Sequence, residues 1–431
     1  MTHLEIDEGA EYIGYGDALA LILSTINPTK VKSLSLASCP GYVTAENVVA
    51  LVNSPTNDAS LKDGFAVKAS DVAVASPQHP VNLRVVGSAF AGARYEGKIS
   101  KGQAVKICSG SPLPEGADAV VSGEFCEEVA SEVRIRANAD IHRNIFFAGE
   151  DVKAGSILAK KGEVLLPACL GLIAAGGINR LKVYHKPKVA LIAIGDEVVA
   201  TGHRLQEGQL YASNLVNIGA WLSCCQVPYV TTITLDDMES IQHELLESFP
   251  ATDAIITSGG AWGSERDLIV KVLDSLGWQR LFHHVRIGPG KGIAFGIWKD
   301  KPVFCLPGGP PSNEMAFLQL ALPGILRMTG RTGSPLLTMP ARLTKDVKGR
   351  HMAWTEFKKG KLARDSDGCY SVTPHYEASR LKSMADATCI VCKPEGAESL
   401  HRGQIVTVQV ILPTFAGLSI VDQGETAGGF L

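Results

Sequence analysis

Three stretches of this chain place small, acidic or polar residues where a buried strand gives way to a turn, and a fourth carries a glycine-framed lysine near the same sheet edge. The sharpest is TSGGAWGSERDLI, residues 257–269. Gly259 and Gly260 allow a backbone to approach a ligand closely. Ser264, with Asp267 three residues on, forms a capping-box pattern ahead of an apolar run. The open amides of such a helix start attract anions. Simple capping explains Ser264 and Asp267 equally well, but it explains the paired glycines less well. Trp262 interrupts the stretch where small or hydroxyl residues would cradle an anion more easily.

In AIGDEVV, Asp196 and Glu197 directly follow a buried strand. Adjacent carboxylates there suit a metal, or equally a helix cap facing water. FCLPGGPPSNEMAF, residues 304–317, is rigid and tightly turned, with Pro311 suited to a first helical position. Gly308, Ser312 and Asn313 make it an anion cradle or a bare strand-to-helix turn. In RIGPGKGIAFG, Gly290 and Gly292 frame Lys291. A lone lysine is usually a solvated surface residue, and the glycine frame shifts this one toward a phosphate contact.

The elements around these loops are legible. KVALIAIG, YVTTITL, DAIITSGG and PVFCLPGG are apolar strands, and helical text separates them. That alternation predicts a parallel sheet covered on both faces. Ligands of such sheets bind beyond the carboxyl ends of the strands, where these loops fall. The expected fold is multidomain α/β and β, with a doubly wound α/β domain over 186–330. A β-rich insert spans 43–145. Residues 1–42 with 146–185 make an N-terminal linking domain that carries helices at 14–26 and within LLPACLGLIAAGG. A C-terminal β domain covers 331–413, and a Gly-rich tail covers 414–431.

The 431 residues carry a net charge of -3, so no broad basic field supports nucleic-acid binding. No apolar run reaches the ~20 residues that span a bilayer. The N-terminus lacks a signal pattern, which predicts a cytoplasmic protein. The 10 cysteines lie mostly in apolar text and read as reduced, buried thiols. Cys389 and Cys392 form a CxxC, but on a strand that offset sends the two thiols to opposite faces. This disfavours a zinc or redox role.

The ordered series NDASLKDGFAV, CSGSPLPEGADAVV, AGEDVKAG, AIGDEVV, GQLYASN, TSGGAWGSERD, IGPGKG and CLPGGPPSNEMAF resembles the molybdopterin molybdenumtransferase family, the MoeA and gephyrin E-domain proteins. The resemblance runs nearly the whole chain to about Pro413. It implies insertion of molybdate or tungstate into adenylylated molybdopterin, with magnesium and release of AMP. It also implies a four-domain homodimer with an adenylyltransferase-like third domain, and a molybdopterin adenylyltransferase as a candidate partner.

By motif position, Asp63, Asp267 and Lys291 are assigned to the chemistry. Glu197, Asp236 and Asp267 are assigned to magnesium. Ser109, Gly259, Gly260, Ser264, Arg286, Gly290, Lys291, Gly308, Ser312 and Arg350 are assigned to the substrate. The chain departs from the family text at Lys62, Ile194, Ala212, Trp262, Gly288 and Gly309, and at Phe146-Phe147-Ala148. Arg286 is expected to compensate for the lysine replaced by Gly288. Two other readings stay open beside the insertase. One is an adenylyltransferase, because Ser258 with Arg266-Asp267 also fits that branch. The other is a non-catalytic cofactor-binding paralogue or scaffold, which the departures motivate.

Overall fold

The computed structural model describes residues 12–259, 268–366, 368–375 and 380–411. They fall into two compact units, one of Lys32–Val183 and one drawn from 1–31 with 184–431.

The unit of Lys32–Val183 is built on a six-stranded sheet. Gly64–Val67 lies between Ala119–Ser122 and Gln103–Ile107, and Val81–Ala89, Glu132–Ile135 and Cys126–Val129 extend the sheet. Alternate residues such as Phe65, Val67, Leu83 and Val133 bury one face. The expected second helix is present over Pro167–Ala175. Proline stands in its first turn, and Gly177 follows at φ +84°. That left-handed backbone ends the helix, as the double glycine predicts.

The other unit opens with helix α1 (Tyr15–Thr25), whose Ala18 and Ile22 are fully buried. Strands and helices then alternate as β1 (Val189–Ile194), α2 (Ser213–Cys224), β2 (Tyr229–Thr234), α3 (Met238–Ser248), β3 (Ala254–Ser258) and α4 (Leu268–Ser275). β4 (Gln279–His283), β5 (Val285–Gly288), β6 (Ala294–Trp298) and β7 (Lys301–Leu306) follow. The chain continues through α5 (Pro310–Ala316), a π-type turn (Phe317–Ala321) and α6 (Leu322–Met328). Pro323 cannot donate a helical hydrogen bond, and the π turn ends just before it.

The central sheet runs β2-β1-β3-β7-β6-β4. The first four strands are parallel, as expected. Both faces are covered: Val189, Leu191 and Ala193 join one apolar cluster, while Ala190, Ile192 and Ile194 join the other. The prediction of a wholly parallel sheet is corrected at one edge, where β6 runs antiparallel to β7 and β4 antiparallel to β6. Lys299 and Asp300 link β6 to β7 at φ +47° and +70°. Two consecutive left-handed residues make a tight hairpin.

The remaining strands are β8 (Leu337–Leu343), β9 (Thr355–Arg364), β10 (Tyr370–Pro374), β11 (Cys389–Lys393) and β12 (Ile405–Val410). They pair in the order β9-β10-β8-β12-β11, and β11 pairs back onto β9 to close a five-stranded barrel. β5 adds to β9 in parallel, so it belongs here and not to the central sheet. Cys389 packs inside the barrel and Cys392 packs against the central core, which places the two thiols on opposite faces. Burial pushes them up to about 12 and about 11. No described helix is long and apolar enough to cross a membrane.

His283 ends β4 with its ring stacked on His284 at 3.9 Å and with Nε2 buried without a hydrogen-bond partner. Burial, reinforced by His284 and Arg280, lowers its pKa to about 4. The neutral ring therefore favours folding above the ordinary value of ~6.5, and that contribution is lost as pH falls toward ~4. Allowing for partial exposure, the loss is about 2 kcal/mol. Urea denaturation of wild type and His283→Gln should show the wild-type advantage shrinking by that amount between pH 6.5 and pH 4. A pH-independent difference would contradict it.

Candidate functional site

Each strand-end loop is held where the sequence predicts, by close backbone contacts. β1 ends at Gly195, where an added Cβ would lie 2.7 Å from Glu197 Oε2, so this carboxylate folds back over the strand end. Asp196 Oδ1 accepts the Asp236 amide at 3.1 Å, which joins the ends of β1 and β2. Asp237, beside it, caps α3 by accepting from the Ser240 amide. Asp236 Oδ1 is shielded from solvent.

Beyond β3, Gly259 stands at φ +99°, and a Cβ there would lie 2.4 Å from the Ile194 carbonyl oxygen. Only glycine fits that conformation and that spacing. Its amide donates to the Leu306 carbonyl at 3.1 Å, and a Cβ on Gly308 would touch the Gly259 Cα at 3.5 Å. The loops after β3 and β7 are therefore in contact. Gly290, at φ +118°, lies against α5, with its Cβ position 3.2 Å from the Ser312 carbonyl oxygen. This packing carries the Lys291 segment to the helix that bears Ser312.

A polar staple binds these loops. Ser258 Oγ accepts from Asn214 Nδ2 and from Asn313 Nδ2, both at 3.0 Å. Asn214 also donates to the Gly308 carbonyl at 2.8 Å, and Asn313 to the Pro307 carbonyl at 2.9 Å. With both lone pairs of Ser258 Oγ occupied, its hydroxyl is left to act as a donor. Asn313 is fully buried one helical turn after Gly309, the position where the family text has asparagine. The next residue, Glu314, is buried and paired with Lys359 of β9, and its Oε1 accepts from Asn217 of α2.

The sequence reading missed this staple. Its signal was present: Asn313, Glu314 and Gln319 are polar residues within an otherwise apolar helical stretch. Such groups need specific partners once buried.

Glu197, Asp236, Gly259, Gly308, Ser312, Gly290 and Lys291 thus border one row of loops at the carboxyl ends of β2, β1, β3 and β7. Arg286 and Arg350 belong to the barrel side of the unit. Arg286 donates to the Tyr12 carbonyl at 2.7 Å and pairs with Glu395 at 3.0 Å. The Arg350 amide donates to buried Glu356, and its side chain is exposed. In the unit of Lys32–Val183, Asp63 and Ser109 meet: Asp63 Oδ1 accepts the Ser109 amide at 2.8 Å, and Ser109 Oγ donates to the Leu61 carbonyl. Gly64 sets that corner, because a Cβ would lie 2.0 Å from the Val121 carbonyl oxygen. Gly260, Trp262, Ser264 and Asp267 lie outside the described residues.

Among the described residues no three His, Cys, Asp or Glu side chains gather closely enough to hold a metal. Magnesium needs less than that from a protein. One or two carboxylates suffice when phosphate and water complete the octahedron, and Glu197 and Asp236 supply hard oxygen donors.

Comparison with known proteins agrees with this architecture. A family profile described as the MoeA N-terminal region, domains I and II, matches residues 13–177. A probable molybdopterin-binding domain matches 190–327, and the MoeA C-terminal region, domain IV, matches 340–411. The molybdopterin molybdenumtransferase of Haemophilus influenzae is 30% identical over 400 residues, covering 89% of this chain and 94% of its own. The Staphylococcus aureus protein of the same name is 27% identical, covering 92% and 94%. The crystal structure of the molybdopterin biosynthesis MoeA protein from Pyrococcus horikosii superposes with a TM-score of 0.78 at 32% identity, over 93% of this chain and 99% of that one. By sequence and by fold, the chain belongs to the molybdopterin molybdenumtransferase (MoeA) family.

Proposed function

We propose that the chain inserts molybdate or tungstate into adenylylated molybdopterin and releases AMP. The row of loops at the β2-β1-β3-β7 strand ends carries this reading. Close-packed glycine backbone, the Ser258 hydroxyl and the Lys291 segment border that row, and they are donor types suited to an anionic phosphate. Gly259, Gly260, Ser264, Gly290, Gly308 and Ser312 frame the pterin phosphate, and Lys291 neutralises it. Glu197, Asp236 and Asp267 would hold magnesium, which when bound offsets charge on phosphate and oxyanion. Asp267 positions the attacking water. Asp63 and Ser109 present a carboxylate beside a hydroxyl, suited to orienting the substrate's polar groups. Arg350 offers an exposed cation, while the ion pair of Arg286 with Glu395 supports a structural role for that side chain.

The active form is a cytoplasmic homodimer with four domains per chain. The test is to incubate purified protein with adenylylated molybdopterin, magnesium and either oxyanion, and to follow AMP. Oxyanion-dependent AMP release is expected. Consumption of magnesium ATP with bare molybdopterin would instead identify an adenylyltransferase. Tight pterin binding without AMP release would identify a binding paralogue.

A further inference from the structure

One cavity is lined by α1, the π turn, α6 and the segment that follows it. It has a volume of about 550 Å³, within the usual range of small-ligand pockets. Leu19 and Leu23 of α1, with Leu318 and Pro323, form an apolar wall. Arg327, Arg331 and Ser334 add a cationic and polar side. Tyr15 Oη donates to Gln319 Oε1 at 3.2 Å, and Gln319 bonds Gln409 at 2.7 Å, so this part of the lining is fixed.

The two arginines are placed by the way α6 ends. The Gly330 amide donates to the Arg327 carbonyl at 2.9 Å, and the Arg331 amide donates to the Leu326 carbonyl at 3.2 Å. This is the paired bonding of a Schellman ending, with Gly330 at φ +86°. A Cβ on Gly330 would lie 2.2 Å from the Tyr184 ring, so the turn is fixed both by conformation and by packing. Arg331 is therefore held rigidly after the helix, four residues from Arg327. Arg327 Nε is buried with no hydrogen-bond partner. Among the described residues neither guanidinium makes a hydrogen bond or an ion pair. A buried donor without an acceptor is costly, and the half-buried Arg331 lines the same cavity, so the two cations favour an oxyanion between them.

We propose that this cavity binds a small organic anion, with a carboxylate or phosphate held by Arg327 and Arg331 and an apolar body against Leu19 and Leu318. The site is independent of the strand-end row and of the reaction proposed for it. Arg327 in the last turn of α6 also interacts favourably with the helix dipole, but that requires no ligand.

The test is calorimetric titration of the full chain with phenyl phosphate and with benzoate. Saturable one-to-one binding of at least one probe is expected. Arg327→Gln and Arg331→Gln should each weaken it about tenfold or more, the loss expected for one charge-assisted contact. Ala20→Trp, which fills the cavity mouth without removing charge, should also weaken it. Phenyl phosphate alone binding assigns the site to phosphates, and benzoate alone assigns it to carboxylates. Absence of saturable binding to both probes would overturn the proposal. So would binding unchanged in the double arginine variant, or in Ala20→Trp with its melting temperature intact.

Discussion

Lys291→Ala should lower AMP release by about a hundredfold or more and leave the melting temperature almost unchanged. Loss of a charge-assisted contact to phosphate removes about 1.5–3 kcal/mol, and loss of a preorganised cation facing developing charge costs 10²–10³ in rate. The backbone that presents the lysine has contacts of its own. The Lys291 carbonyl accepts from the Val285 amide at 3.0 Å, and Gly290 packs on α5. Lys291→Arg should recover part of the rate, since it restores charge but not the compact ammonium. Single-turnover AMP release with saturating oxyanion is the measurement. A rate within threefold of wild type in Lys291→Ala would remove this residue from the proposed site.

The strand-end row was readable in the sequence because β1, β3 and β7 are buried on both faces, and such strands are short and bounded, whereas β2 at the sheet edge is exposed or half-buried throughout. Residues 189–194 alternate between two buried clusters, so their text is unbroken hydrophobic. The glycines at 259 and 308 marked close backbone approaches that the fold uses. The hairpin at Lys299-Asp300 was not readable, because its left-handed pair contains neither Gly nor Asn. Nor was the membership of β5. Its neighbour β9 lies more than 60 residues away, and pairing over that distance leaves no local periodicity. Arg286 and Glu395 are further apart still, 109 residues, so the guanidinium expected to face substrate looked unpaired in the sequence. Asn313 and Glu314 show the converse case. Their polarity was visible, but their partners Ser258, Asn217 and Lys359 come from three other elements.

The Glu314–Lys359 pair should be costly to break singly and cheap to replace as a unit. Both side chains are almost wholly buried, and the pair ties α5, which carries the third loop, to the barrel strand β9. Lys359→Met strands a buried carboxylate with only the Asn217 amide for company. A loss of about 3–5 kcal/mol is expected. Replacing both partners, as Glu314→Leu with Lys359→Met, removes both desolvation costs and should recover most of it, less about 1 kcal/mol for the Asn217 donor. Glu314→Gln tests the same pair from its other side. Burial alone lowers the Lys359 pKa to about 7. That value holds with Glu314 in place; without the carboxylate the neutral form is favoured further, whereas the unfolded chain stays protonated to ~10.4. A depressed lysine of this kind gains stability as pH rises above its folded value and gains nothing below it. The deficit of Glu314→Gln should therefore shrink as pH rises from 6 through about 7, where the wild-type lysine also becomes neutral, while that of Lys359→Met does not shrink over the same interval. Urea denaturation of the three variants across that range separates the outcomes. A pH-independent Glu314→Gln deficit, or a double variant no more stable than Lys359→Met, would mean that the pair does not control the seating of α5.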